Sequence, residues 1–349
     1  MKLSSFGFEL PQELIANYPL PYREDARLMV VRRATGKISH HIFSDITTFF
    51  EKDDVVVLNN TKVSSIYFKG NKEKTGAAIN MLLLRELNKE HFRWDTIIDP
   101  ARKIRVGNKL YFGNHDLVVE VVDNTTSRGR TVRFAFEGSR EELLKLLDQL
   151  GEPPIKPILQ RKAQAIDKKR YQTVYASEPG SVVAPVGGFH FTEYILKSLQ
   201  LKNVHTPKLT LHLGYNSLGP LDAEDLEKYK YDSDPYNIPP ATADIVNQAL
   251  DNKKKVCAVD VSTLQALETS ISSTQRLNPR SGWSNTFIRP PYKTHIANAL
   301  LTNFYLPKSI PFVNTAGFGG YKLIKEKVYP TAIAEKYRFF VYGDALLII

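Results

Sequence analysis

The chain has one cysteine in 349 residues, and that scarcity is the first constraint. A lone thiol builds neither a disulfide framework nor a cysteine-rich zinc site. Cys257 sits in the apolar run VCAV, which suits a buried, reduced side chain. Long apolar runs are missing too, and none approaches the length of a bilayer crossing. The opening residues MKLSSFGFELPQ lack the apolar core of a secretory leader. A cytoplasmic chain that makes no membrane contact is the expectation, and a monomer is expected. Acidic side chains are outnumbered, 37 Asp and Glu against 47 Lys and Arg, giving a net charge of +10. This favours an anionic partner, nucleic acid being the commonest. A merely solvated, lysine-rich surface would carry the same charge. No internal repeat is found.

What is present is ordinary for a folded protein: 42% hydrophobic and 24% charged residues. Residues 1–61 read as a strand pair, Leu28–Arg33 and Lys37–Phe43, a helix-like DITTFFEK, and a buried strand in VVVLNNT. The character then changes. Six strand candidates follow, at 63–69, 77–87, 92–98, 109–113, 116–123 and 130–137. Val132, Phe134 and Phe136 alternate with Thr131, Arg133 and Ala135. Turn residues separate the runs, so a small barrel is expected. Lys72, Lys74, Arg102, Lys103, Arg105, Arg128 and Arg130 are candidates for a basic face on it. Ser139–Leu150 is a helix, and EPPIKPILQRK an extended, proline-set connector.

From Tyr171–Tyr175, read as a strand, helices and strands alternate. The expected elements are helix 193–201, strand 207–214, a helix opening at Asp222–Asp225, and helix 242–252. Strand 255–261, a helix opened by Ser262-Thr263, a strand-loop-helix around ALLTNFYLPKS, helices to Lys327 and over 331–337, and a core strand in YRFFVYGDALLII complete the chain. The fold class is thus mixed α/β: an α+β body from 1–61 and 152–349, with a six-stranded β-barrel domain, 62–151, inserted.

The segment RYQTVYASEPGSVVAPVGGFHFTE concentrates unusual chemistry. Gly187 and Gly188 let backbone approach a ligand and adopt angles closed to other residues. Phe189, His190 and Phe191 give two ring faces around a titratable ring. Thr192 suits a helix N-cap, and Glu193 its positive end. The combination reads as a binding site for a small polar molecule. A tight turn with a structural histidine fits the same residues.

The motifs LPQELIA with ARLMVV, VLNNTKV, MLLLREL, RYQTVYA, PGSVVAP–GGFHFT, TLHLG, LTNFYLPKS and YRFFVYGDALLI, in this order, resemble the S-adenosylmethionine:tRNA ribosyltransferase-isomerase family of queuosine biosynthesis. The resemblance implies a mixed α/β domain carrying an inserted barrel. It also implies transfer and isomerisation of the ribosyl group of S-adenosylmethionine onto 7-aminomethyl-7-deazaguanine, at the wobble position of a tRNA. Epoxyqueuosine forms, adenine and methionine leave, and no metal is needed. Such chemistry asks for a base near the sulfonium, an acid for adenine, and aromatic faces for a cation. His190 and His212 are the titrating candidates. Asp344 is a candidate to orient a ring or meet ribose hydroxyls. Gly187, Gly188, Phe189, Thr192, Ser262, Asn303 and Tyr342 are candidates for holding the donor, and Lys308 for meeting substrate or phosphate.

The chain also departs from the pattern. Val186 replaces a threonine, Asn60 an acid, and Lys62 an arginine fork that lysine does not reproduce. An expected His-x-Met-His-x-Glu becomes Tyr229, Tyr231, Asp232 and Asp234. Asp260 replaces a glycine, Gln265 an arginine and Tyr305 a histidine. Two further readings therefore stand beside the enzyme. One is a divergent paralogue that binds tRNA or other nucleic acid with altered or no transferase activity. The other transfers a donor-derived group to a small acceptor.

Overall fold

The computed structural model describes all residues but Ser127, Gly219, Pro220 and Asp222, with the Leu218 side chain also left aside. The chain divides into two compact units, Met1–Lys62 with Gln172–Ile349, and Val63–Tyr171. In chain order the strands are β1 (Arg27–Arg32), β2 (Lys37–Ile42), β3 (Val55–Asn59), β4 (Thr61–Val63), β5 (Tyr67–Lys72), β6 (Ala78–Asn88), β7 (Arg93–Asp99), β8 (Lys109–Phe112) and β9 (Leu117–Asn124). They continue with β10 (Gly129–Ala135), β11 (Glu178–Ser181), β12 (Lys208–Leu211), β13 (Asp234–Ile238), β14 (Val256–Val259), β15 (Arg280–Ser284), β16 (Ala299–Asn303) and β17 (Ala345–Ile348). The helices are α1 (Arg140–Leu150), α2 (Ile155–Leu159), α3 (Asp167–Arg170), α4 (Glu193–Leu201), α5 (Pro240–Asp251), α6 (Val261–Thr269), α7 (Ile310–Gly319) and α8 (Tyr329–Ala334).

The larger unit is built on a mixed sheet. Among the described residues it has nine strands, in the order β15-β13-β12-β3-β14-β16-β17-β1-β2. The four central strands β12, β3, β14 and β16 run parallel. Strands β3, β14 and β16 are buried at every position, as strands covered on both faces require. Leu28, Val30, Val56, Leu58, Cys257, Val259, Ala299, Leu301 and Leu347 form one core with Phe43, Phe191 and Ile195. β17 runs antiparallel to β16 and parallel to β1, so it joins the β1–β2 hairpin to the centre.

The smaller unit holds a closed barrel, β10-β7-β6-β5-β8-β9. All six expected strands are present. Ser139 caps α1, accepting from the Glu142 amide, while Glu142 reaches back to the Ser139 amide, a reciprocal capping box. Residues 152–171, placed with the body from sequence, group with the barrel. Tyr67 and Glu152 exchange both backbone hydrogen bonds at 3.0 and 2.8 Å, and Lys168 reaches the Asp148 carbonyl at 3.0 Å.

Several local expectations are corrected. The proline-set connector contains α2, because Ile155 and Leu159 bury one face. Pro157 is tolerated in the first turn, where the lost amide has no intrahelical partner. Tyr171–Tyr175 is not a strand; the Ala176 amide closes a turn on the Thr173 carbonyl. The helix expected at Asp222–Asp225 begins on an undescribed residue, and 223–225 are not helical. α6 opens one turn earlier than read, with Asp260 as its cap. Residues 323–328 wind as a π-helix before α8, and only Ala345–Ile348 of the last apolar run is strand.

Arg130 is withdrawn from the basic face. Its side chain points into the barrel, donating to the carbonyls of Ile104 (3.1 Å), Gly129 (2.7 Å) and Ala101 (2.8 Å). Arg130→Met leaves these acceptors without their donor. The expected loss is about 3 kcal/mol of barrel stability, measured as a shift in the urea midpoint of the barrel's own unfolding transition.

Candidate functional site

Parallel strands that are buried on both faces release their next residues at one edge, and in open α/β sheets ligands bind there. Here the carboxyl ends of β12, β3, β14 and β16 present His212, Asn59–Thr61, Asp260 and Asn303 in a row. β13, β17 and β1 begin at the same edge, adding Asp234, Asp344 and Arg27.

The Val186–Gly188 turn and the residues after it lie along this edge. His190 is buried, and its Nε2 meets Asn303 Oδ1 at 2.8 Å. The Asn303 amide nitrogen donates to the carbonyls of Phe340 (3.0 Å) and Val341 (3.3 Å), so its oxygen must accept. His190 therefore carries its proton on Nε2, leaving Nδ1 as an acceptor. Burial pushes the imidazole pKa down to about 4, with Arg23 and Arg338 adding to the effect. The ring is neutral at physiological pH. The Phe189 ring lies 5.9 Å from that of Tyr342, and Arg23 donates to the Phe189 carbonyl at 2.8 Å. Thr192 caps α4, as expected, accepting from the Ile195 amide at 3.3 Å.

The paired glycines have ordinary backbone angles; neither is among the positive-φ residues. What they permit is contact. A Cβ on Gly188 would collide with the Tyr175 hydroxyl, and one on Gly187 would sit 3.1 Å from the Asp260 Cα. The Tyr175 hydroxyl and Thr173 Oγ1 beside this turn are buried without hydrogen-bond partners.

Asp260, first seen only as a departure from a pattern, is the hub. Its Oδ1 accepts from the Ser262 amide (3.0 Å) and hydroxyl (2.7 Å). Its Oδ2 accepts from the Gly187 amide (3.0 Å) and the Tyr305 hydroxyl (3.1 Å). Ser262 in turn accepts from Asn59 at 3.1 Å. Thus Gly187 and Ser262 meet through one carboxylate.

The other candidates separate. His212 meets Thr61 at 2.7 Å, three strand steps from Asn303, roughly 14 Å at the usual spacing. Burial lowers its pKa. Gly180, at φ +149°, packs on its ring, where a Cβ would lie 2.9 Å away. Asp344 is committed to backbone: its oxygens accept from the amides of Arg27 (3.0 Å) and Arg338 (2.8 Å). Burial raises its pKa, against those two bonds. Lys308 is exposed.

A second buried acid, Asp234, is known from the sequence only as a departure from the family pattern. Asp234 accepts from the Gly214 amide at 2.9 Å and from the Tyr231 hydroxyl at 3.3 Å, and that hydroxyl also meets Gln265 at 3.2 Å. Burial pushes its pKa up to about 7. Tyr229 and Tyr231 pack on Phe287 beside it, with centroids 5.4 and 6.0 Å apart. Among the described residues no group of three His, Cys, Asp or Glu side chains is placed to hold a metal. No helix there is long and apolar enough to cross a membrane.

Two outcomes follow. Gly188→Ala should cost about 2 kcal/mol by overpacking. In a Tyr175→Phe background, which loses an unpartnered hydroxyl, at least half of that cost should vanish, as a double-mutant cycle of urea unfolding would read. For His190, the folded pKa of about 4 lies below the unpaired value of 6.5. The unfolded chain then binds the extra proton, so stability falls as pH drops from 6.5 to 4. His190→Gln should remove this component, worth about 3 kcal/mol at pH 4, from the difference between the two stability profiles.

Comparison with known proteins agrees with this architecture. Residues 3–348 match the family described as queuosine biosynthesis protein. A protein of Amoebophilus asiaticus named S-adenosylmethionine:tRNA ribosyltransferase-isomerase is 55% identical over 349 residues, covering both chains completely. One of the same name from Cytophaga hutchinsonii is 52% identical over the same length. The crystal structure of S-adenosylmethionine tRNA ribosyltransferase from Thermotoga maritima superposes with a TM-score of 0.54 at 26% identity, covering 99% of this chain and 100% of that one. With a match that runs almost from end to end and the expected barrel inserted in a mixed α/β body, the chain belongs to the queuosine biosynthesis protein family.

Proposed function

We propose that this chain is an S-adenosylmethionine:tRNA ribosyltransferase-isomerase. It moves the ribosyl group of S-adenosylmethionine onto 7-aminomethyl-7-deazaguanine at the tRNA wobble position and isomerises it to epoxyqueuosine, releasing adenine and methionine. The observation that carries this is complete coverage at 55% identity by a relative of that name. S-adenosylmethionine is consumed as a substrate.

The donor occupies the carboxyl edge of the sheet at the Gly187-Gly188 turn. Phe189 and Tyr342 supply ring faces there, and rings attract cations. His190 acts as a neutral imidazole, its tautomer set by Asn303. With a pKa near 4 it accepts a hydrogen bond more readily than it keeps a proton. A carboxyl near pKa 7 is matched to donating a proton at neutral pH, and Asp234 has that property. It begins β13, however, four strand steps from Asn303 and roughly 19 Å away at the usual spacing, so it stands apart from the paired-glycine turn. Asp344 fixes the loop before β17 rather than touching substrate. Exposed Lys74, Arg102, Lys103, Arg105 and Arg128 remain a basic surface on the barrel suited to phosphates.

One specific observation keeps a retuned paralogue in view. Three of the departures are joined through one group, the Tyr231 hydroxyl, which meets both Asp234 and Gln265. Purified protein with S-adenosylmethionine and precursor tRNA should release adenine. His190→Ala should cut that release at least a hundredfold, a loss typical of removing a group placed at the reacting centre. Salt-sensitive tRNA binding without adenine release, where an active relative turns over, would select the paralogue. Adenine release without tRNA would select a small acceptor.

A further inference from the structure

Asp260 is 2% exposed and has backbone angles of φ 76°, ψ 151°. A side chain at such a φ is strained, and glycine would sit there freely. A buried carboxylate is itself costly unless paired. Yet no Lys or Arg among the described residues lies within ion-pair distance of it. Four neutral donors hold it: two backbone amides and two hydroxyls. Neutral donors stabilise a carboxylate but leave its net charge in place.

The other buried acids of this unit do different work. Asp54 pairs with Lys255 at 3.4 Å. Glu268 collects the amides of His295, Ile296 and Ala297. Asp344 collects two amides, and Asp234 meets Gly214 and Tyr231. Asp260 alone among these is bonded to the paired-glycine turn. Gly187 also keeps the path to it short, since even a Cβ there would be 3.2 Å from Oδ2.

We propose that Asp260 is the fixed counter-charge for the donor's sulfonium: a positioning residue that favours the cationic donor over an uncharged thioether analogue, acting across the Gly187 peptide. This rests on the reading above that the donor binds at the Gly187-Gly188 turn. In a low-dielectric interior a unit negative charge acts on a cation several ångströms away, and a neutral ligand escapes its field. The four donors keep the carboxylate from moving toward the ligand, so its field is present before binding. Tyr305 carries one of them, which ties a second departure from the family pattern to the same role.

Equilibrium binding of S-adenosylmethionine and S-adenosylhomocysteine to the full chain tests this. The two differ in the sulfonium methyl and its charge. Wild type should bind S-adenosylmethionine about tenfold more tightly. Asp260→Asn, close in shape, should lose about tenfold for S-adenosylmethionine and less than about threefold for S-adenosylhomocysteine, erasing the preference. Asp260→Gly, which suits the positive φ, should erase it as well. Equal losses for both ligands would make Asp260 a purely structural clamp and overturn the proposal. Equal wild-type affinities, or tighter binding of the thioether, would overturn it without any variant. Failure of wild type to bind either nucleoside would instead remove the donor site itself.

Discussion

The parallel alignment of β12, β3, β14 and β16 is the constraint on which the rest depends. β3, β14 and β16 are apolar along their length and buried on both faces. Their polar side chains gather toward their carboxyl ends: Asn59 in β3, and Thr302 and Asn303 in β16. Because they run the same way, their ends fall at one edge, and Asn59, Asp260 and Asn303 are gathered there by the sheet. The neighbouring antiparallel strands contribute their starts to the same edge. Polar chemistry is collected by strand direction before any particular residue is specified.

Within that row, hydrogen bonds decide geometry. Asn59 ties the end of β3 to β12 and α6, accepting from the Leu211 amide at 3.0 Å and donating to Ser262. Asp260 ties α6 to the Gly187 turn and to Tyr305. Asn303 ties His190 to the 340–341 backbone. Each is buried and each spends its donors and acceptors on several elements, so the turn, the histidine and the helix start are fixed together. Pre-set polar groups of this kind act on a ligand without reorganising.

The sequence was most informative where one physical rule governed a segment. Period-two alternation and turn residues found the barrel strands, and leucines at helical spacing found α1. It was least informative where a tertiary contact overrode the local rule. Prolines concealed α2, whose reason to exist is the burial of Ile155 and Leu159. Arg130 shares its parity with Val132 and Phe134, so alternation already pointed it inward, but its charge suggested surface. The glycine pair and His190 stood out because rare chemistry is contiguous there, and Asn303 only through the family resemblance; the structure joins His190 to Asn303 by a hydrogen bond. Asp260 was not, because nothing local shows that its carboxylate receives donors from residues 187 and 305.

The position of β17 has a consequence for how the body is made. It pairs on one side with β16 and on the other with β1, so the early hairpin has no route into the sheet except through it. Arg27 and Asp344, which lock that junction, are 317 positions apart. On a ribosome the hairpin must wait, unpaired along one edge, while the intervening chain including the barrel is synthesised. Long-range pairing of this kind is slow and exposes strand edges meanwhile. The cell thus carries a nascent chain with an open seam for much of translation, and a chaperone that shields β1 would raise the yield of folded protein.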